Sequence, residues 1–410
     1  MALALAAAAP PPGAMSNNCE RSGGLYWASA QRRRHEMRAP LDRREFLKGS
    51  LALAAAATGL PAAPAGSAEA EWRNKQAGMK YRRLGRTGFM VSEIVCGGDP
   101  IAPDNHRHVE IAFERGLNYF DTAPAYGQGR SEEGYAAAIR AVGRDRVFLT
   151  TKVSPLGTAR NRAYQQVFGG LGRAEQETVL HEVTEDLKRR GATLPEYMGN
   201  YFQGQLREIE EDALSDALER RFSSRIDARA TYVDTIVKSV DESLKRLGTD
   251  YVDILMCPHG ASSYAETQIP EVHEAFARLK KEGKVRALGV TAHNDPAGVL
   301  KGAIASGVYS VAMIAYNIMN RPYVEPVLAE AKEKDFGVIA MKVAQAVFQP
   351  DRSKSPFAER LALLNQMVPG ESGPHQKAYR FGLSNPNLSA VISNMVDEKQ
   401  VRENLAVVTG

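Results

Sequence analysis

Residues 118–153 read NYFDTAPAYGQGRSEEGYAAAIRAVGRDRVFLTTKV, and this stretch decides the fold. Asn118–Thr122 is a short apolar run ending on polar residues. Ser131–Val142 carries apolar residues at helical spacing, and Val147–Val153 is rich in β-branched residues. Short apolar strands that alternate with helices imply a parallel sheet with its faces covered. Upstream, Val91–Gly97 reads as a strand and Asn105–Arg115 as a helix that stops at Gly116. Downstream, strands at Tyr251–Cys257, Ala287–Thr291, Val311–Asn317, Gly337–Lys342 and Ser389–Ser393 alternate with helices. These fall at Thr231–Leu247, Val272–Glu282, Pro296–Ser306, Val324–Lys334, near His375–Leu383, and from about Asp397 to Val407. Eight such units predict an α/β fold of the (β/α)8 TIM-barrel type. No G-x-G-x-x-G follows the first strand, which weakens the alternative of an open, doubly wound sheet.

The segment 154–229 breaks the rhythm, because a barrel loop normally takes a handful of residues. Val179, Leu180, Val183 and Leu187 share one helical face, and Leu206, Ile209, Ala213, Ala217 and Phe222 roughly share another. Two or three amphipathic helices are expected here, as an insertion after the third strand. Its position after a strand assigns it to the C-terminal face, where barrels of this type keep their active sites. A lid, a substrate wall or a subunit contact are the roles open to it.

The chain has 410 residues, of which 24% are charged and 44% hydrophobic, the composition of a globular protein. Lys and Arg total 52 against 48 Asp and Glu, and a net charge of +4 gives no case for a nucleic-acid partner. Cys19, Cys96 and Cys257 are scattered, which excludes a disulfide framework, a four-cysteine zinc site and an all-cysteine iron–sulfur cluster. No metal site is read from the sequence; His106, His108 and Glu110 read as a helix start.

Residues 1–70 stand apart. Arg43-Arg44-Glu45-Phe46-Leu47-Lys48 precedes an apolar, Ala-rich run from Gly49 to Leu60 and a small-residue site at Ala68-Glu69-Ala70. That order is the pattern of an export signal, and the paired arginines are similar to the twin-arginine type. The apolar run is shorter than the ~20 residues that a membrane span needs. Met37 lies a normal distance upstream of the arginines, so residues 1–36 are read as sequence ahead of the true start. The expected mature chain begins near Glu71 and reaches the periplasm or exterior through the Tat machinery.

Polar side chains cluster at strand ends, which converge on one mouth in a barrel. Asp121 closes the second strand and Tyr126 follows it; Lys152 ends the third and His259 follows the fourth. A tyrosine titrates near ~10. A lysine ammonium beside it favours the phenolate and should lower that value. Asp121 can keep such a lysine charged where it is buried. The set suits carbonyl reduction, in which hydride reaches carbon and a proton reaches oxygen.

At these residues the sequence resembles the aldo-keto reductase family. Tyr81-Arg-Arg-Leu-Gly-Arg-Thr-Gly88, followed by Val91-Ser92, looks like its opening hairpin. Phe120-Asp-Thr-Ala-x-x-Tyr-Gly127, Thr151-Lys152, Ser243-Leu-Lys-Arg-Leu-Gly-Thr-Asp-Tyr-Val-Asp253, Gly283-Lys-Val-Arg-Ala-Leu-Gly-Val290 and Gln400-Val-Arg-Glu-Asn404 follow in order. The resemblance covers 79–410 apart from the insertion. Together with the export signal, it implies an exported oxidoreductase that interconverts a carbonyl and an alcohol, acting on a small carbonyl or sugar-like substrate. Tyr126 would be the general acid, Lys152 and Asp121 its tuning pair, and His259 the carbonyl-orienting group. His259 sits one position later than the family spacing. The implied cofactor is a nicotinamide dinucleotide, NADP(H) favoured over NAD(H). Its implied contacts are Gly98, Asp99, Thr291, His293, Asn294, Tyr316, Met341, Asn394, Gln400, Glu403 and Asn404. Several positions depart from the family pattern: Ala292 replaces an Asn, Met313 a Gln, and Gln400 an Arg that often grips the 2′-phosphate. Those departures keep an alternative open, a non-catalytic cofactor-binding or interaction module on the same fold.

Overall fold

The computed structural model describes residues 69–409, apart from 193, 200, 350, 352 and 353. The arginine pair, the apolar run and the stretch ahead of Met37 lie outside the described residues. Three short strands come first: β1 (Glu71–Trp72), β2 (Tyr81–Arg83) and β3 (Phe89–Ser92). β2 and β3 pair antiparallel with Tyr81 opposite Ser92, and β1 lies parallel to β3 on its other side. Gly88, at φ 76°, closes the turn between β2 and β3 in a conformation that suits glycine.

Eight parallel strands then close into a barrel in chain order. They are β4 (Ile94–Gly97), β5 (Tyr119–Asp121), β6 (Phe148–Lys152), β7 (Val252–Met256), β8 (Val285–Ala292), β9 (Val311–Ala315), β10 (Gly337–Met341) and β11 (Ala390–Asn394). β11 pairs back onto β4, with Asn394 opposite Gly97. The expected single strand Val91–Gly97 is two strands: Val91 and Ser92 end β3, and β4 starts at Ile94 after Glu93.

Helices α1 (Arg107–Glu114) and α2 (Arg130–Val142) follow β4 and β5. Between β6 and β7 lie α3 (Pro155–Gly169), α4 (Arg173–Arg189), α5 (Gln205–Phe222) and then α6 (Thr235–Leu247). The remaining helices are α7 (Pro270–Lys281), α8 (Pro296–Ser306), α9 (Arg321–Glu333), α10 (Ala358–Met367), α11 (Pro374–Ser384) and α12 (Glu398–Leu405). Helices α3, α7, α8 and α11 start on a proline, whose missing N–H is no loss in the first turn.

An eight-stranded barrel is just wide enough for side chains to fill. Val95, Tyr119, Phe148, Ile254, Met256, Ala287, Val311, Met313, Ile339, Met341 and Ala390 do so here. Leu84 and Phe89, from the small N-terminal sheet, join this core, and the Phe89 and Phe148 rings stack at 4.7 Å. Below them Asp253 is fully buried and accepts from Arg73, Arg144 and Arg286. The N-terminal strands therefore close the end of the barrel where β7 begins.

At the opposite end α5 and the loop before it rest on the loops that follow β7, β8 and β9. Gln205 Nε2 donates to Asn294 Oδ1 at 2.9 Å, and Ser262 Oγ donates to Asp212 Oδ2 at 2.5 Å. Tyr197 donates to Asp295 Oδ1 at 2.5 Å, and Asn317 Nδ2 donates to the Tyr201 hydroxyl at 2.8 Å. These bonds place the inserted helices over the rim of the mouth.

Candidate active site

Side chains alternate faces along a strand. Tyr119 and Asp121 of β5 therefore share one face, as do Phe148, Thr150 and Lys152 of β6. Tyr119 and Phe148 are in the barrel core, so Asp121 and Lys152 also turn inward, at the strand ends. Both are about 1% exposed, and Lys152 Nζ donates to Asp121 Oδ2 at 2.6 Å. It also donates to the Thr122 carbonyl at 2.9 Å. Tyr126 lies in the turn after β5, its ring centroid 4.6 Å from Lys152 Nζ. The His259 ring stands edge-on to it, centroids 6.0 Å apart at 81°. Ser154, which immediately follows Val153, is 2.8 Å from His259 Nδ1 through its hydroxyl. Asp121, Tyr126, Lys152 and His259 thus come together from the ends of three consecutive strands. The extra residue ahead of His259 does not remove it from the group.

The expected fall of the tyrosine pKa does not occur. Burial pushes the Tyr126 phenol above its ordinary value near 10, and Lys152 opposes this without overcoming it. Burial also draws Lys152 down, but Asp121 and then Tyr126 hold it above the usual lysine range, so it stays charged. His259 is pushed down to about 3, by burial and then by the Lys152 charge, so its ring is neutral at neutral pH. His293 is depressed as well, by burial first and then by Lys342, His259 and Lys152.

The Aldo/keto reductase family model matches residues 99–194 and 228–409. The chain belongs to the aldo/keto reductase family. Its match is interrupted over 195–227, which spans the Tyr197 loop and α5. L-galactose dehydrogenase of Arabidopsis thaliana is 25% identical over 352 residues, 81% of this chain and 88% of that one. Aldo-keto reductase YhdN of Bacillus subtilis (strain 168) is 26% identical over 320 residues, 70% and 75% of the two chains. Among solved structures, the holo form of aldo-keto reductase AKR11C1 from Bacillus halodurans superposes with a TM-score of 0.54 at 22% identity. It covers 81% of this chain and 91% of its own, and shows the shared fold. A twin-arginine translocation signal matches residues 40–60, so the protein is exported by that route.

Members of the aldo/keto reductase family use nicotinamide cofactors, and the candidate contacts for one are not equally placed. Gly98 follows β4 where a Cβ would strike the Asp121 carbonyl and the Ser131 hydroxyl, so packing alone demands a glycine there. Asp99 is exposed beside it, near enough for its charge to act on Tyr126. Thr291 is buried, with its hydroxyl 2.7 Å from the Gly260 N–H. Met341 is in the barrel core at the end of β10, and Asn394 is exposed at the end of β11. Gln400 accepts from the Val396 N–H at 3.2 Å through Oε1, and Glu403 is exposed next to Lys399.

Three of the candidates face elsewhere. Tyr316 stacks on Phe381 of α11 at 5.5 Å, and its hydroxyl meets Glu325 and Asn385 at 3.0 and 3.2 Å. Met313 points inward on β9, and the three-residue step to Tyr316 reverses the face. Asn294 is fully buried under the insertion, bonded to Gln205, Glu208 and Ser262. Asn404 is buried between Ser393 and Gln376. In the other direction, Ser154, Phe202 and Glu208 stand at this mouth without having been read from the sequence. Phe202 lies edge-on to His293 at 5.6 Å. Ser154 carries the same signal as Lys152, a polar residue at a strand end. Phe202 and Glu208 carry none, because they reach the site from the insertion.

Proposed function

We propose that this exported oxidoreductase interconverts a carbonyl and an alcohol, with Tyr126 as the general acid and base. The carrying observation is Lys152 Nζ held between Asp121, at 2.6 Å, and the Tyr126 ring, at 4.6 Å, with His259 facing the same ring. A phenol above its ordinary pKa is protonated at neutral pH, the state a proton donor needs. The nearby ammonium stabilises the phenolate that remains when the proton leaves. With the Ser154 hydroxyl donating to Nδ1, the neutral His259 ring carries its proton on Nε2 and can donate to a carbonyl oxygen.

This donor set has no hydride source of its own, and Asp121 Oδ1 and His293 Nδ1 are buried without hydrogen-bond partners. Both features fit a nicotinamide dinucleotide, which supplies the hydride when bound. Thr291, His293, Asn394 and Met341 are the residues proposed to hold its reacting end. NADP(H) is the proposed form. Lys399 and Arg402 are exposed on α12, in surface pairs with Glu403 and Glu398 that cost little to exchange for a phosphate. A sugar-like or small carbonyl is the proposed substrate, in line with the name of the Arabidopsis relative.

The test combines cofactor titration by fluorescence with a carbonyl panel. Wild type should bind cofactor and reduce members of the panel, and the double change Lys399→Ala with Arg402→Ala should weaken NADP(H) but not NAD(H). Equal weakening of both forms would show that the two cations do not read the 2′-phosphate, and no weakening of either would remove them from the site. The displaced Tyr316, Asn294 and Asn404 favour a second reading, a module that binds without turnover. Tight cofactor binding with no reaction across the panel would select it.

A further inference from the structure

Helix α5 lays a polar stripe on the barrel mouth. Gln205, Glu208 and Asp212 fall three and four residues apart, on one helical face. Two of them are fully engaged. Gln205 accepts from the Tyr201 N–H and donates to Asn294 and the Met198 carbonyl. Asp212 accepts from Asn161 through one oxygen and from Ser262 through the other. Glu208 differs. Its single hydrogen bond, 3.2 Å from Asn294 Nδ2, occupies Oε1 and leaves Oε2 without one. The side chain is only partly buried. Oε1 also lies 3.8 Å from where a Cβ on Gly260 would stand, and Gly260 follows His259 directly. A carboxyl group with an open acceptor therefore stands beside the loop that carries the carbonyl-facing histidine.

We propose that Glu208 reads the substrate: its carboxyl group hydrogen-bonds a hydroxyl of the carbonyl compound, so that hydroxylated carbonyls such as aldoses are preferred over plain aldehydes. This rests on the reading of Tyr126 and His259 as the carbonyl-handling pair. Oε2 is not buried away from solvent, so it can exchange water for a ligand hydroxyl without a change in the fold. Burial, and then the Asp212 charge, already push Glu208 up to about 7, which marks the missing stabilisation. A substrate hydroxyl supplies it. A site built to bond a hydroxyl also rejects the analogue that lacks it far better than an apolar pocket rejects an added one.

The experiment uses the mature full-length chain, glyceraldehyde and propanal as three-carbon substrates with and without hydroxyls, and xylitol as a ligand that needs no turnover. Glu208→Gln keeps an oxygen for Asn294 but loses the charge; Glu208→Met removes every polar atom. In wild type kcat/KM should favour glyceraldehyde. Glu208→Gln should lower that preference about 10-fold and Glu208→Met toward about 100-fold, through KM, with propanal kinetics and cofactor affinity unchanged. Saturation transfer to xylitol should fall in the same order. Equal losses on both aldehydes, or no loss on either, would overturn the proposal and reduce Glu208 to a support for Asn294. Failure of the carbonyl reading gives a separate pattern. Neither aldehyde would react, yet Glu208-dependent saturation transfer to xylitol would still uphold the residue's role. No reaction and no transfer would overturn both.

Discussion

Lys152 is a charge in the interior of a barrel, and one carboxylate together with one backbone carbonyl makes it tolerable. Removing one member of a buried pair typically costs about 3–5 kcal/mol, because the other charge is left uncompensated. Lys152→Met should therefore lower the unfolding free energy by that order in urea denaturation, and also slow catalysis. Its kinetic loss should not add to that of Tyr126→Phe, since the residues act as a unit. The two histidines make a pH prediction. His259 binds its proton at about 3 in the folded chain and near its ordinary 6.5 when unfolded. Between those values the unfolded chain holds the His259 proton and the folded chain does not, so the contribution of His259 to stability falls as pH drops from 6.5 toward 3 and is fully present above 6.5. His293 is shifted the same way and adds to the effect. Glu208, raised to about 7, acts in the opposite sense over the same window, so the histidine effect is read by difference: from pH 7.5 to 5 the denaturation midpoint of wild type should drop further, or rise less, than that of His259→Gln, and parallel slopes would show that His259 titrates normally.

At the scale of elements, the insertion is held to the barrel by charge as much as by apolar contact. Arg160 of α3 is 2% exposed and donates through Nη2 to Asp216 and Glu219 of α5, at 2.6 and 2.8 Å. Glu266, from the segment after β7, lies 3.9 Å from its Nη1. Arg160→Met should leave those carboxylates without their cation and destabilise the protein by about 3–5 kcal/mol, read by urea denaturation. A change under about 1 kcal/mol would show that the cluster is solvated. This arrangement explains what the sequence made legible. Barrel strands and outer helices follow periods of two and 3.6, because each buries one apolar face, and those could be read. In α5 the buried residues include Glu210, Asp212, Ser215 and Asp216, so hydrophobic spacing does not mark its inner face. Helix α10 has one fully buried apolar residue, Leu364, and left no stripe to read. In the site, the residues on inward-facing strand ends were visible from alternation, as with Asp121 and Lys152. Alternation carried through β9 would also have turned Tyr316 outward. Glu208 and Phe202 depend on how the insertion docks, which no local pattern records.

Across the whole molecule, export and fold meet at Glu71. It opens β1, and its carboxylate binds Arg286 at 2.6 Å and Arg73 at 2.7 Å, at the end of the barrel away from the mouth. A mature chain starting near Glu71 keeps this closure intact. Replacing Arg43 and Arg44 with lysine should trap precursor in the cytoplasm, and N-terminal sequencing of exported protein should begin near Glu71; residues 40–60 still attached would contradict it. Removing 159–227 would strip Asn294, Ser262 and Glu266 of partners, so that deletion should lower the melting temperature of what remains. The proposed function stands on carbonyl chemistry at Tyr126. Its most direct test follows deuterium from C4-deuterated nicotinamide cofactor into the alcohol product, by NMR, for wild type and Tyr126→Phe. Wild type should label the carbinol carbon, and Tyr126→Phe should do so about 10²–10⁴-fold more slowly with cofactor affinity unchanged. Label transferred as fast by Tyr126→Phe as by wild type, or not transferred by wild type to any carbonyl compound, would contradict the account.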